Sequence, residues 1–282
     1  TVEITIKDDN RDGELEISKK IKSAGEEKAA IGFNNAYGAD GYETINAKKT
    51  VNGVAPSGEE KFTFTLEAVD GAPTKNADGA SYVSTDLSVT NNGEDITFPN
   101  LYYTLEDVGH TYKYTVSEQG TDGNGYTLDR TEYTVEIEVK DDNRDGELEI
   151  SKTIKQGETV VTVIGFSNTY AATGNEEVTA KKTVNNATPS GEENFSFTIK
   201  AEGTAPTNKA DGTAYTAEEL TVTNNGENIV FPKLYYTLAD AGRTYEYTVS
   251  ENGTDKTGYT VDSTIYTVEI TIADESRDGE LE

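Results

Sequence analysis

Three polar side chains placed on otherwise apolar strand faces are the residues of this chain with chemistry to offer. In Ile45-Asn46-Ala47-Lys48-Lys49-Thr50-Val51 the two-residue period of an extended strand puts Ile45, Ala47, Lys49 and Val51 on one face. The same parity groups Tyr112, Tyr114 and Val116 with Glu118, and groups Ile164, Phe166 and Tyr170 with Asn168. A lysine, a carboxyl group and an amide are therefore all aimed inward. Burying an amide without a partner costs about 1–3 kcal/mol, so Asn168 requires one. One solution is a buried ion pair with the amide hydrogen-bonded beside it. The other is an intramolecular isopeptide bond, in which the lysine amine attacks the Asn side-chain carbonyl and ammonia leaves. Burial lowers a lysine pKa and raises that of a carboxylic acid, which makes a neutral nucleophile and a protonated Glu accessible. The Glu can then hydrogen-bond the Asn carbonyl and shuttle protons, and no external cofactor is needed.

The elements that position these groups come from a repeat. Thr1–Glu16 recurs with few changes at Thr134–Glu149 and again at Thr267–Glu282, offsets of 134 − 1 = 133 and 267 − 134 = 133 residues. The prolines follow the same shift: Pro56 with Pro189, Pro73 with Pro206, Pro99 with Pro232. Lys182 and Glu251 are thus the counterparts of Lys49 and Glu118, and Asn35 is the counterpart of Asn168. Within a period, apolar residues alternate between turns rich in Gly, Asn, Asp and Pro, with no sustained helical spacing, which predicts an all-β module. Expected strands are Ile45–Val51, Phe62–Ala68, Leu87–Val89, Ile96–Phe98, Thr111–Glu118, Tyr133–Val139, Leu148–Ile154 and Thr162–Tyr170. Seven or eight short strands in about 130 residues suit an immunoglobulin-like β-sandwich. A helical turn is expected near Thr216–Leu220, with Thr216 as cap and Glu219 at its third position.

The frame of the period differs from the frame of the module. Cutting at the Gly- and Ala-rich loops after Tyr37 and Tyr170 gives one complete module at 38–170. Residues 1–37 then read as the last strands of a preceding module, and 171–282 as a second module lacking its last strand. The chain reads as a slice of something longer. Asn35 and Lys182 would each find their partner outside this sequence, or in a neighbouring molecule that donates a strand.

Composition narrows the function. The 282 residues carry 52 acidic and 24 basic side chains, a formal charge of −28, which argues against nucleic acid as a partner. Cysteine is absent and there is a single histidine, so thiol catalysis and transition-metal sites are not expected. No apolar run approaches the length of roughly 18 residues that a transmembrane helix needs, so membrane insertion is not expected.

The stretches Ala47-Lys48-Lys49-Thr50-Val51, Phe62-Thr63-Phe64-Thr65-Leu66, Ile96-Thr97-Phe98-Pro99, Tyr112–Glu118, Tyr133-Thr134-Val135-Glu136 and Phe166-Ser167-Asn168-Thr169-Tyr170 occur in an order that resembles the isopeptide-linkage domain of Gram-positive surface pilins and adhesins, the FctA-type, T-antigen-like major pilin family. The resemblance spans essentially the whole chain. It implies tandem CnaB-like β-sandwich modules, each with a Lys–Asn bond catalysed by Glu, here Lys49, Asn168 and Glu118 in the complete module and Lys182 with Glu251 in the partial one. It also implies a cell-surface, extracellular stalk, pilus or filament whose partners are neighbouring repeats. No LPXTG-like sorting pattern is present. The second reading is an adhesin module that binds a host protein or glycan through its loops. Turnover on an outside substrate is not expected: the cross-linking would be a single autocatalytic event.

Two further signals carry less. Asp141-x-Asn143-x-Asp145-Gly146, like Asp8–Gly13, matches the opening of a calcium loop, but the twelfth position holds Lys152 or Lys19 where such a loop needs Glu. Asp-Gly is also a strong turn signal, so a hairpin turn is the expected reading. His110 is replaced by Arg243 one period later and is expected on the surface.

Overall fold

A computed structural model describes residues 1–255 and 258–282. Its regular structure is nearly all strand, with single 3-10 turns at Leu105–Asp107 and Leu238–Asp240 among the described residues.

Between Asp40 and Tyr170 two sheets face each other. One has six antiparallel strands, in the order Thr159–Val161, Glu149–Gln156, Glu132–Lys140, Thr111–Gln119, Thr63–Val69, Ser88–Thr90. The other has four, in the order Tyr126–Thr127, Ile164–Tyr170, Asn46–Val51, Asp95–Thr97. Its two central strands are parallel, with Phe166 opposite Lys49 and Asn168 opposite Val51. Alternation explains the layering. Glu132–Lys140 buries Tyr133, Val135, Ile137 and Val139 and turns the residues between them outward. The inner faces of both sheets meet in one core that includes Phe64, Leu66, Ile96, Phe98, Tyr114, Val116, Ile164 and Phe166.

The expected strands are present within one or two residues at each end, and the structure adds more. Asp40–Glu43 pairs with Leu101–Thr104, and Tyr126–Thr127 and Thr159–Val161 are short edge strands. These pieces have two to four residues, too few for a period of two to stand out. Near Thr216–Leu220 the chain makes hydrogen-bonded turns and no helix. The capping box is nonetheless formed: Glu219 accepts from the Thr216 N–H at 2.8 Å, and the Thr216 hydroxyl accepts from the Glu219 N–H at 3.3 Å.

A second core lies in residues 178–272, built from Phe197, Ile199, Ile229, Phe231, Leu234, Tyr247 and Val249, most of them one period after their counterparts. Here Thr179–Lys181 pairs only with Asn228–Val230 and has no parallel neighbour among the described residues. Residues 1–28 form a separate three-stranded sheet. Ile31 to Tyr37, the twin of Ile164–Tyr170, is exposed and unpaired in any strand, with Phe33 94% exposed.

Candidate cross-linking site

Lys49 comes from the first strand of the four-stranded sheet, Asn168 from its parallel neighbour, and Glu118 from the facing sheet. All three are buried, and Lys49 and Asn168 are wholly so. The Lys49 Nζ donates to Glu118 Oε2 at 2.8 Å. The Asn168 Nδ2 donates to Glu118 Oε1 at 2.7 Å. A single carboxyl group therefore bridges the amine and the amide nitrogen. Aromatic rings close the space around them. The Lys49 Nζ stands 4.7 Å from the Phe62 ring centre and 5.9 Å from that of Phe64, and Phe64 packs on Phe166 at 5.1 Å. Burial in this wall pushes the Lys49 pKa down from its ordinary value, with the Glu118 charge acting in the opposite sense.

The carbonyl side of the amide departs from the sequence expectation. Glu118 does not face the Asn168 oxygen. Instead the backbone N–H of Asp129 donates to Asn168 Oδ1 at 2.7 Å. A backbone N–H can only donate, so the amide oxygen must turn toward Asp129 and the amide nitrogen toward Glu118. Asp129 is itself fixed. Its carboxylate accepts from the Ser167 N–H at 2.8 Å and the Thr131 N–H at 2.9 Å, tying it to the strand that carries Asn168. Burial opposes the charge on Asp129, but these donors outweigh it and hold the carboxyl below its ordinary pKa. Sequence reasoning missed Asp129, because what reaches the amide is its main chain. The available signal was the repeated Asp-x-Thr before the strand, Asp129-x-Thr131 and Asp262-x-Thr264.

The adjacent Lys48 is exposed and paired with Glu94 at 2.8 Å and Asp95 at 2.7 Å, so parity separates the two lysines. In the second unit Lys182 and Glu251 meet at 2.8 Å, with Lys182 4.3 Å from the Phe195 ring centre. Among the described residues no amide lies beside them. Glu251 Oε1 is buried without a hydrogen-bond partner among the described residues and faces a groove lined by Lys182, Phe197, Asp262, Thr264 and Tyr266. Asn35 is exposed on the unpaired segment and is not brought to either lysine.

The loop with Asp141, Asn143 and Asp145 folds as a hairpin turn. Asn143 and Asp145 accept the N–H groups of Asp145 and Glu147, at 3.1 and 3.0 Å, and Asp141 accepts from the Tyr37 hydroxyl at 3.0 Å. Among the described residues no group of three or more His, Cys, Asp or Glu side chains is placed to hold a metal ion. His110 is exposed and stacks on Tyr112 at 5.7 Å.

Two all-β units, each with a lysine–carboxyl pair set against its core, define a class of repeated β modules, and comparison gives the family. The family described as FctA, Spy0128-like isopeptide containing domain, matches residues 45–171 and again 178–282. The chain belongs to this family. Among solved structures it is similar to the major pilin protein T3.2 from Streptococcus pyogenes, at 20% identity over 86% of this chain and 97% of that one, with a TM-score of 0.32. It is also similar to the T-13 major pilin of the same species, at 21% identity over 88% and 94%, with a TM-score of 0.32. A third is a major pilin of that species at 16% identity over 88% and 96%, with a TM-score of 0.29. No curated protein matches. Among the described residues no helix is long and apolar enough to cross a membrane.

Proposed function

We propose that this chain is a structural repeat of an extracellular bacterial stalk, pilus or filament, and that its modules are locked by autocatalytic Lys–Asn isopeptide bonds. In the complete module, 38–170, the bond joins Lys49 to Asn168. The observation that carries this reading is the Glu118 carboxyl, whose two oxygens sit on the nucleophile and on the leaving group at 2.8 and 2.7 Å.

The reaction follows from that bridge. Glu118 takes a proton from the Lys49 ammonium, and the freed amine attacks Cγ of Asn168. The carbonyl oxygen gains negative charge where the Asp129 N–H already points, an oxyanion donor set in place before reaction. Glu118 returns its proton to the amide nitrogen, the C–N bond breaks and ammonia departs. The attacking nitrogen passes its second proton through the Glu118 carboxylate beside it to the departing ammonia, which leaves as ammonium as the new amide forms. Glu118 acts as base and then as acid within one event.

In the second module Lys182 and Glu251 are the same pair. They await a strand of the Ile164–Tyr170 kind to bring an Asn into the groove, either from further residues of the same chain or from the Asn35 segment of a neighbouring molecule. Near-identical repeats favour a spacer over a recognition tip, which sets the stalk ahead of the adhesin. The test is the intact mass of a purified complete module, expected to be one ammonia below the sequence mass. A full sequence mass would refute the bond.

A further inference from the structure

The aspartate-rich loop that resembles the opening of a calcium site has another occupant. At 274–279 it holds a tyrosine. The Tyr170 hydroxyl donates to Asp274 at 2.7 Å, the Gly279 N–H donates to that hydroxyl at 3.3 Å, and the Arg277 guanidinium lies 4.6 Å from the ring centre. One period earlier the same atoms repeat the contact. Tyr37 donates to Asp141 at 3.0 Å, Gly146 donates to Tyr37 at 3.3 Å, and Arg144 lies 4.7 Å from the ring. Two independent stretches of chain thus build one socket.

The loop conformation is intrinsic. Arg144 and Arg277 have φ of 53° and 48°, in the left-handed region that side chains other than Gly seldom adopt, and Gly146 and Gly279 follow at 101° and 92°. Residues 8–13 form the loop a third time, with Arg11 at 51° and Gly13 at 90°, and no tyrosine contacts Arg11 there among the described residues. The socket is shaped before it is filled.

The module that supplies Tyr170 has a matching face. Arg277 reaches Glu60 at 2.8 Å, and Glu60 also accepts from the Tyr126 hydroxyl at 2.7 Å. Gly125 allows main chain to meet main chain: a Cβ there would stand 2.4 Å from the Ala171 oxygen and 2.7 Å from the Gly279 Cα. At the far end of the second module Glu193 and Tyr259 make the same hydrogen bond, at 2.8 Å. One end of a module carries the socket and the other carries the tyrosine, the acidic acceptor and the glycine that fit it.

We propose that the Asp-x-x-Arg-x-Gly loop of each period is a docking socket for the tyrosine that closes the preceding module, and that it fixes the angle between consecutive modules. The partner it fits is another module of this kind, through Tyr170 and Glu60 or their equivalents. The proposal rests on the modular reading above. Tyr170 lies two residues from Asn168 on the same strand, so the joint grips the strand that the isopeptide bond holds.

The experiment measures residual dipolar couplings on the full 282-residue chain and on Arg277→Ala and Tyr170→Phe, with intact masses taken in parallel. In the unaltered chain residues 45–171 and 178–282 should share one alignment. In Arg277→Ala the alignment of 178–282 should fall about twofold or more below that of 45–171, as modules without a specific interface reorient independently. Tyr170→Phe, which removes only the hydroxyl, should give a smaller fall in the same direction. Independent alignments in the unaltered chain, or a shared alignment that survives Arg277→Ala, would overturn the socket. The masses are read separately: an ammonia still present in the unaltered chain would sink the bond and leave the result on the joint standing.

Discussion

Lys49, Glu118 and Asn168 are hydrogen-bonded in a row from which no side chain can be removed without stranding another. Glu118→Ala should leave the product at full sequence mass, since neither the amine nor the leaving nitrogen keeps a proton partner. It should also lower stability twice over: losing a cross-link that closes 168 − 49 = 119 residues costs about 4–5 kcal/mol, and the unlinked Lys49 is left buried without its carboxyl partner, which costs about 3–5 kcal/mol more. Calorimetry of Glu118→Ala beside Asn168→Ala, which loses the cross-link but keeps the ion pair, separates the two contributions. Asp129→Ala keeps the N–H that faces the amide but releases it from Ser167, and should slow bond closure by about tenfold or more, followed by mass against time after refolding. Unchanged closure kinetics would remove Asp129 from the mechanism. Parity alone placed Lys49, Glu118 and Asn168 on the inner faces where the structure has them, because a residue type at an inward position is visible in a string of letters. The role of Asp129 was not visible, because every residue but proline has a backbone N–H and only the fold decides where it points.

Among the elements, the sheets are pinned by buried tyrosines in addition to the proposed cross-link. Tyr103 and Tyr114 meet at 3.1 Å between their hydroxyls, and Tyr114 donates to the Pro73 carbonyl at 2.6 Å. Tyr236, Tyr247 and Pro206 repeat the arrangement at the same distances. Burial raises the pKa of Tyr114 and of Tyr112 to about 12, and raises those of Tyr103, Tyr236 and Tyr247 as well. For an acid whose folded pKa is raised, the stabilisation is complete below the unfolded pKa of about 10 and is lost as pH climbs toward the folded value. Denaturant midpoints should therefore hold up to pH 10 and fall between 10 and 12, with the last part of the tyrosinate absorbance, that of the buried rings, appearing together with unfolding. Complete tyrosinate absorbance while the structure persists would contradict this. The long strands were legible from alternation. The pairing of Asp40–Glu43 with Leu101–Thr104 was not, since four residues hold too little pattern, and neither was the parallel contact of Asn46–Val51 with Ile164–Tyr170, which is a property of topology.

At the scale of the whole molecule, the 133-residue offset announced two units, and the structure gives each a core but, among the described residues, only one the complete trio of Lys, Glu and Asn. Calorimetry should resolve two transitions. The earlier one belongs to residues 171–282, where Lys182 is 12% exposed at its side chain while Lys49 is fully buried. Lys49→Ala should lower the later transition and leave the earlier one in place, because the sites lie in separate cores. A shift of both would mean that the modules melt as one. The strand Ile164–Tyr170 holds one more consequence. The amide arrives on the last strand of its module and the lysine on one of the first, so until residue 168 has been delivered the module is an unbranched thread that a narrow pore can pass in single file. The proposed bond would close that thread into a ring, and a chain arrested before Ile164 should keep every ammonia it was made with.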